Sequence, residues 1–176
     1  EHFAAALDGR IRSMGLTHEL LSHRRWLGIP LGELVERELA PYATGSNTKI
    51  GGPDVMLSAE AGQTMAMVLH ELATNAAKHG ALSTPQGRVL VRSDWRSNGD
   101  LGATLVLEWH EQSGPVVTVP AQQGYGISVI RDLIPYELSG TVDLKFASDG
   151  VRCTVAIPGE HARRTDRAAC SGLPPF

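Results

Sequence analysis

The sequence predicts an α+β fold, a two-layer sandwich in which helices cover one face of a mixed, largely antiparallel sheet. Two pairs of strand-like segments are separated by the tight-turn dipeptides Asn98-Gly99 and Asp149-Gly150, which favour antiparallel hairpins. Two long helical stretches lie before and between these pairs and need a surface on which to bury their apolar sides. With 176 residues, of which 42% are hydrophobic, the chain is long enough for one domain with an appendage.

The composition excludes several classes of protein. Lys and Arg number 16 against 19 Asp and Glu, a net charge of −3, and no basic run exceeds a pair, so no nucleic-acid partner is expected. No unbroken apolar run is longer than Met65–Leu69, so we expect no membrane contact. The 2 cysteines provide neither a disulfide framework nor zinc-ligand spacing. This favours a reducing compartment, and the cytoplasm is the expected location.

Residues 1–43 predict a helical appendage of two helices. The second is expected to begin near Pro30, which suits the first turn of a helix, and to end at Pro41. The first carries a narrow apolar stripe that packs either on its own domain or on a partner helix, and both arrangements remain open. The stripe comprises Phe3, Leu7, Ile11, Met14, His18 and Leu21.

The stretch 43–47 is rich in small and polar residues and is typical of a linker. We therefore place a domain boundary here, with the main domain over residues 44–158. Just after the boundary, Lys49-Ile50 and Val55–Leu57 flank Gly51-Gly52-Pro53, which predicts a small hairpin.

The main domain is predicted to contain two helices and four longer strands. The first helix lies between Ser58, placed to cap its start, and Gly80, whose missing Cβ suits a left-handed position after a helix end. The second begins near Ile127, and Pro135 is expected to break or bend it. Residues 159–176 are expected to form a flexible tail. Antiparallel pairs are predicted for 88–95 with 103–111 and for 141–146 with 151–157.

Polar side chains of the first long helix form one candidate site. On an ideal helix Asn75 lies ~40° from Glu71, and Lys78 lies ~20° to the other side, so the three share one stripe beside the apolar face. Such a row suits a metal-bound polyphosphate, with Asn75 offering an oxygen to Mg²⁺ and Lys78 neutralising phosphate charge. The alternative is a solvated helix face with an incidental ion pair.

Two further segments have the character of ligand-binding sites. Glu111 ends a strand shortly before Gly114, and a carboxylate in this position can accept a hydrogen bond from an exocyclic amine such as that of adenine. Gly124 and Gly126 come just before the second long helix, whose free N–H groups and positive dipole end attract phosphate. A lone Gly-x-Gly is a weak signal, and Trp109 alternates with apolar strand residues as in ordinary core packing.

Taken in order, these segments resemble the nucleotide-binding boxes of the GHKL ATPase superfamily, and in detail those of the HWE family of bacterial sensor histidine kinases. That family is named for a histidine in the N box and a Trp-x-Glu in the first glycine box, which correspond here to His70 and to Trp109-His110-Glu111. Leu69–Ser83 matches the N-box pattern almost throughout. The resemblance covers about residues 3–158 and implies a Bergerat-type fold.

The resemblance implies a role for each matched residue. Asn75 corresponds to the asparagine that holds Mg²⁺ between the phosphates, and Glu71 to the acidic position one turn earlier; these are the candidate catalytic residues. Glu111 corresponds to the aspartate that recognises adenine, with Gly114 behind it. The other ATP-binding residues that the resemblance implies are Lys78 and His79 in the N box and Gly124, Tyr125, Gly126 and Ile127 in the second glycine box.

The same resemblance implies ATP and Mg²⁺ as cofactors, a response regulator receiver domain as partner and a homodimer of the full-length protein. Leu20-Leu21 and Leu39–Tyr42 are similar to the second dimerisation helix and the connector of the family. The family's phosphoacceptor histidine sits on a first dimerisation helix, which we expect upstream of Glu1. A GHKL-type ATPase, an anti-sigma-like serine kinase and a non-catalytic nucleotide-binding scaffold remain as alternatives.

Overall fold

The computed structural model describes residues 15, 17–19, 21, 22, 27–97, 102–116 and 124–165. Residues 17–19, 21 and 22 are helical, and most of the apolar stripe predicted for the first helix lies outside the described residues. The elements that follow are β1 (Ile29–Pro30), α1 (Leu31–Leu39), β2 (Thr48–Gly51), β3 (Val55–Leu57), α2 (Ala59–Lys78), β4 (Arg88–Ser97), β5 (Ala103–Gln112), α3 (Tyr125–Leu138), β6 (Thr141–Ala147), β7 (Gly150–Pro158) and β8 (Ala162–Arg164).

The main sheet has five strands in the order β2-β4-β5-β7-β6. Only the edge pair β2 and β4 is parallel, and the other three pairs are antiparallel. Alternate side chains of the central strands are buried because they face α2 and α3. The predicted sandwich of helices on one face of a mixed, largely antiparallel sheet is confirmed. The buried row comprises Val89, Val91, Leu105, Leu107, Trp109, Cys153, Val155 and Ile157.

The two hairpins predicted for the longer strands of the main sheet are confirmed. β4 and β5 pair along their whole length, from Arg88 opposite Gln112 to Ser97 opposite Ala103, and the turn between them lies outside the described residues. β6 and β7 meet at Gly150, whose φ of +144° is a conformation that L side chains rarely adopt. Alternation along the strands and the turn residues between them therefore predicted these two pairings correctly.

The small hairpin predicted around Gly51-Gly52-Pro53 is wrong. β2 pairs in parallel with β4, whereas β3 lies between β1 and β8 in a separate three-stranded sheet. A Cβ on Gly52 would lie 2.3 Å from Ser93 Oγ, so the backbone passes closely over β4 at this point, with φ at +130°. The glycines thus permit a close crossing that leads the chain from one sheet to the other.

Part of the predicted tail also forms regular structure. β8 pairs antiparallel with β3, with Ala162 opposite Leu57. The Ser58 N–H group donates to the carbonyl oxygen of His161 at 2.8 Å, so this last strand also holds the start of α2. A three-residue strand has too short a pattern to be predicted locally, and β3 supplies its backbone partner. Residues 166–176 lie outside the described residues.

The start of α2 agrees with the prediction, but its end does not. Ser58 Oγ accepts a hydrogen bond from the Ala61 N–H group at 3.1 Å and caps the helix. Gly80 has φ at −110° and ψ at −152°, which is extended backbone, so the predicted left-handed conformation is wrong. The structure gives a different reason for glycine at this position: the Glu111 side chain fills the space that a Cβ would occupy.

α3 continues through Pro135 to Leu138, so this proline does not break the helix, and the bend expected there stays a prediction. A proline removes the hydrogen bond to the carbonyl of the residue four positions earlier, here Arg131. The last turn is retained because Ile134 and Leu138 are completely buried in the core. The helix ends at Ser139, which takes a left-handed conformation with φ at 51°.

α1 packs on α2, and its side chains Leu34, Val35 and Leu39 belong to the same hydrophobic core as the main sheet. Residues 29–39 therefore pack with the main domain. Where the domains of the whole protein divide stays a prediction. None of the helices described here has both the length and the apolar character that a membrane crossing requires.

Candidate functional site

A cavity of about 470 Å³ lies between α2, α3 and the inner face of the sheet. Its volume falls within the range of ~300–1,000 Å³ that is usual for small-molecule sites. Three polar side chains reach it from two elements and the loop after α2: Asn75, His79 and Glu111. Most of the wall is apolar and suits a flat ring, with contributions from Leu72, Ile127, Ile130, Leu144, Phe146 and Val151.

The cavity brings together half of the residues that the sequence nominates. Asn75, His79, Glu111, Gly124, Gly126 and Ile127 line it. The other nominated residues do not line it: His70, Glu71, Lys78, Trp109, Gly114 and Tyr125. The order of the motifs along the chain therefore located segments that meet at one cavity, but the direction of each side chain depends on packing.

Asn75 lines the cavity, whereas Glu71 and Lys78, which share its predicted polar stripe, do not. The cavity lies on the side of α2 that carries Leu72, Asn75 and His79, which are spaced three and four residues apart. Glu71 lies ~100° from Leu72 around the helix. It is buried at 6% exposure, so the predicted polar stripe does not face one open site. Lys78 is exposed at the end of the helix, outside the cavity wall.

Glu111 is buried at 2% exposure, and both of its carboxylate oxygens accept hydrogen bonds from the protein. The backbone N–H group of Ala81 donates to Oε2 at 2.8 Å, and the indole Nε1–H group of Trp109 donates to Oε1 at 3.3 Å. Burial raises the pKa of Glu111, while these two hydrogen bonds act in the opposite direction because they favour the charged form. The cavity therefore contains a held carboxylate whose unused lone pairs can accept further hydrogen bonds.

Gly80 and Gly114 make room for this arrangement. A Cβ on Gly80 would lie 2.0 Å from Oε2 of Glu111, and a Cβ on Gly114 would lie 2.7 Å from the Cα of Ala81. The turn that begins at Ala81 is thus wedged against the end of β5. Gly114 shapes the site indirectly, by allowing the turn that binds Glu111 to approach.

His70 lies away from the cavity and pairs with a residue that sequence reasoning missed. Its Nδ1 lies 3.1 Å from Oε2 of Glu38, a carboxylate on α1 that is only 8% exposed. An ionised carboxylate only accepts, so Nδ1 donates. This contact joins α1 to α2 on a side of α2 that does not line the cavity. An acid within the otherwise apolar face of α1 is the sequence signal that could have identified Glu38.

The start of α3 has no side-chain cap within the part of the chain that the structure describes. Gly124 is its N-cap residue, and its first turn contains no acidic residue. α2 differs, because Ser58 caps it. The first N–H groups of a helix without such a cap can bind phosphate, and Gly124 and Gly126 both line the cavity. Tyr125 lies between them but is 68% exposed and does not line the cavity.

The chain is similar to known histidine kinases in sequence. Residues 1–54 match a family model described as HWE histidine kinase. A blue-light-activated histidine kinase of Rhizobium johnstonii is 33% identical over 156 residues, which is 89% of this chain and 44% of that protein. A protein of the same name from Brucella anthropi is 31% identical over 152 residues, covering 85% of this chain and 30% of that protein. The chain thus spans less than half the length of these curated relatives.

Solved structures agree on the fold. The histidine kinase domain of a blue-light activated histidine kinase from Erythrobacter litoralis matches with a TM-score of 0.67 and 18% identity, over 86% of this chain and 74% of that one. A mycobacterial sensor histidine kinase matches with a TM-score of 0.58 and 16% identity, over 78% of this chain and 97% of that one. At these identities the likeness shows a shared fold.

Proposed function

Because the chain is similar to HWE and blue-light-activated histidine kinases, we propose that its cavity binds Mg·ATP and that the full-length protein is a histidine kinase of the HWE family, which transfers the γ-phosphoryl group to a histidine for relay to a response regulator receiver domain. One observation carries the proposal. An acceptor carboxylate, a side-chain amide and an uncapped helix start converge on one apolar cavity. These are the groups that a purine, a metal ion and a phosphate chain need.

The base would enter the apolar part of the cavity. The apolar side chains of Leu72, Ile130 and Phe146 suit a purine ring, and Glu111 lines the same cavity. Because an ionised carboxylate only accepts hydrogen bonds, Glu111 is complementary to the 6-amino group of adenine and repels the 6-oxo group of guanine. Glu111 would therefore select ATP over GTP.

The phosphates would extend toward the start of α3. The N–H groups at Gly124 and Gly126 would bind them, and Asn75 would hold Mg²⁺ through its side-chain oxygen. When bound, Mg²⁺ would neutralise phosphate charge and align the group for in-line transfer. Lys78, exposed at the end of α2, would neutralise phosphate at the mouth. Glu71 would act as a positioning residue, since a neutral imidazole acceptor needs no strong general base.

The proposal includes a homodimer of the full-length protein, with the phosphoacceptor histidine outside this chain, and a cytoplasmic location, where ATP is abundant. Three alternatives use the same cavity: a GHKL-type ATPase, an anti-sigma-like serine kinase and a scaffold that binds nucleotide without catalysis. They differ from the kinase in where the phosphoryl group goes, so labelling separates them.

Binding is tested by calorimetry of Asn75→Ala with ATP, with and without Mg²⁺. We expect a loss of about tenfold in affinity when Mg²⁺ is present, equivalent to ~1.4 kcal/mol, and a smaller loss without it. Gln63→Ala is the matched control, because Gln63 is an exposed amide on the same helix that does not line the cavity. Equal affinity for Mg·ATP in the parent and in Asn75→Ala would remove Asn75 from the site.

Phosphoryl transfer is tested by incubating this chain and a longer gene product with γ-labelled ATP. We expect a label on the longer protein that survives alkali and is lost in acid, because protonation of the bridging nitrogen of a phosphoramidate makes it a good leaving group. Asn75→Ala should abolish the label. Rapid release of free phosphate, with no acid-labile label on the longer protein, would favour the ATPase.

A further inference from the structure

Trp109 and Glu111 form a hydrogen-bonded pair on one strand. They lie two residues apart on β5, so both side chains face the helices, and both are almost fully buried. The indole N–H group of Trp109 occupies one carboxylate oxygen of Glu111, and the backbone N–H group of Ala81 occupies the other. Donors from two separate segments therefore hold opposite oxygens of one carboxylate.

We propose that Trp109 is a specificity-determining positioning residue: its indole N–H group fixes the plane of the Glu111 carboxylate so that the remaining acceptor positions meet the 6-amino group of a purine. The inference rests on the proposed function, because it requires a purine nucleotide in this cavity. Trp109 does not line the cavity, and its hydrogen bond to Glu111 connects it to the cavity wall.

The geometry explains why one donor is not enough. The last side-chain torsion of a glutamate is broad and roughly two-fold, so a carboxylate held at one oxygen can still turn. Gly80 leaves space for Oε2 but no additional room, since a Cβ there would already lie 2.0 Å from this oxygen. Two hydrogen bonds, from Ala81 to Oε2 and from Trp109 to Oε1, together with the close packing of Gly80 against Oε2, define the plane of the Glu111 carboxylate.

The charge state of Glu111 leads to the same conclusion. Burial raises its pKa, and the hydrogen bonds from Ala81 and Trp109 counteract this. A protonated carboxyl would present an O–H donor, which can satisfy a 6-oxo group as well as an acceptor can satisfy a 6-amino group. Losing the indole N–H group therefore weakens discrimination in two ways, by freeing the torsion and by favouring the protonated form.

The chain offers a matched pair of substitutions. Trp109→Phe removes an indole N–H group that is bonded to Glu111. Trp95→Phe makes the same change on the neighbouring strand β4, where the indole N–H group is buried and has no hydrogen-bond partner in the described part of the chain. Inosine triphosphate replaces the 6-amino group of ATP by a 6-oxo group. The ratio of its dissociation constant to that of ATP reports on discrimination at this position.

We expect calorimetry to show a preference for Mg·ATP over Mg·inosine triphosphate in the parent and an unchanged ratio in Trp95→Phe. In Trp109→Phe the ratio should fall about tenfold, while cooperative melting shows that the variant is folded. If Trp109 acted through packing alone, the substitution would weaken the binding of both nucleotides equally and leave the ratio unchanged. If folded Trp109→Phe keeps the parent ratio, the inference is overturned and the proposed function stands. If the parent binds neither nucleotide, both fail.

A measurement on the parent protein covers the case in which Trp109→Phe does not fold. Indole ¹⁵N–¹H spectra contain one signal for each of the 3 tryptophans, and Trp109 can be assigned after Trp26→Phe and Trp95→Phe identify the others. We expect the Trp109 signal to shift when Mg·ATP binds and to shift less with Mg·inosine triphosphate. A Trp109 signal that ignores saturating Mg·ATP would overturn the inference.

Discussion

A methyl group added at Gly80 would enter the space that the Glu111 carboxylate occupies. The new Cβ would lie 2.0 Å from Oε2, 3.0 Å from Cδ of Glu111 and 2.9 Å from the Cα of Ala76. Gly80 has φ at −110°, which alanine adopts freely, so the change introduces no strain from the backbone conformation. The effect of Gly80→Ala must therefore come from displacing the carboxylate and from the close approach of the new methyl group to the backbone of Ala76.

The expected cost follows from the contacts that are lost. Displacing Oε2 breaks its hydrogen bond with the Ala81 N–H group, and a hydrogen bond to a charged group contributes ~1.5–3 kcal/mol. Overpacking a closed site adds ~1–3 kcal/mol. The two costs overlap because one carboxylate causes both, so we expect ~3 kcal/mol in total. For a chain of 176 residues this corresponds to a melting temperature lower by ~6–12 °C.

Thermal unfolding of Gly80→Ala should be compared with that of Gly32→Ala. A Cβ on Gly32, in α1, would meet no atom within 4 Å, so this control should leave stability unchanged or raise it by up to ~1 kcal/mol. Glu111→Asp shortens the acid and should offset part of the damage when combined with Gly80→Ala. The reasoning is refuted if Gly80→Ala has the same melting temperature as Gly32→Ala, or if the loss of stability in the double variant equals the sum of the losses in the two single variants.

Two other predictions concern stability. Because burial raises the pKa of Glu111 above its ordinary value of 4.5, the folded protein binds that proton more tightly than the unfolded chain, and ionisation of Glu111 lowers stability as pH rises from 4.5 through the folded pKa. Glu111→Gln lacks this loss, so its free energy of unfolding relative to the parent should increase over that window in urea titrations and then level off; a constant difference would contradict this. His70→Ala should cost ~1–3 kcal/mol by depriving buried Glu38 of a donor, whereas Glu36→Ala on the exposed face of α1 should cost little. A cycle of His70→Ala with Glu38→Gln that shows no coupling would argue against the contact.

Local patterns predicted most of the main sheet. The β-rich segments β4 and β5, together with the turn dipeptide between them, predict an antiparallel pair because strand propensity and turn geometry both act over a few residues. The cap at Ser58 is equally local. The prediction of a small hairpin was wrong because a non-local contact decides the path of the chain there. A pair of glycines permits either a turn or a close crossing of two backbones, and the neighbouring strand β4 decides between them.

The site shows the same division. The order of its segments along the chain identified Asn75, Glu111 and the glycines before α3 as one group, and the cavity brings them together. The helical period alone suggested that Glu71 and Lys78 would accompany Asn75. Packing instead places the cavity on the side of α2 that carries Leu72 and His79, because α3 and the sheet cover that side.

The sequence by itself determined the fold class, the two long hairpins, the resemblance to HWE histidine kinases and the segments that form the cavity, because each depends on patterns that repeat within a few residues or on motifs in a given order. Only the tertiary structure decided which groups touch. The Ala81 N–H group reaches Glu111 across 30 positions, and His70 reaches Glu38 across 32. Contacts of this kind depend on how strands and helices pack. Glycine is required at position 80 because β5 places the Glu111 carboxylate in the space that a Cβ would occupy.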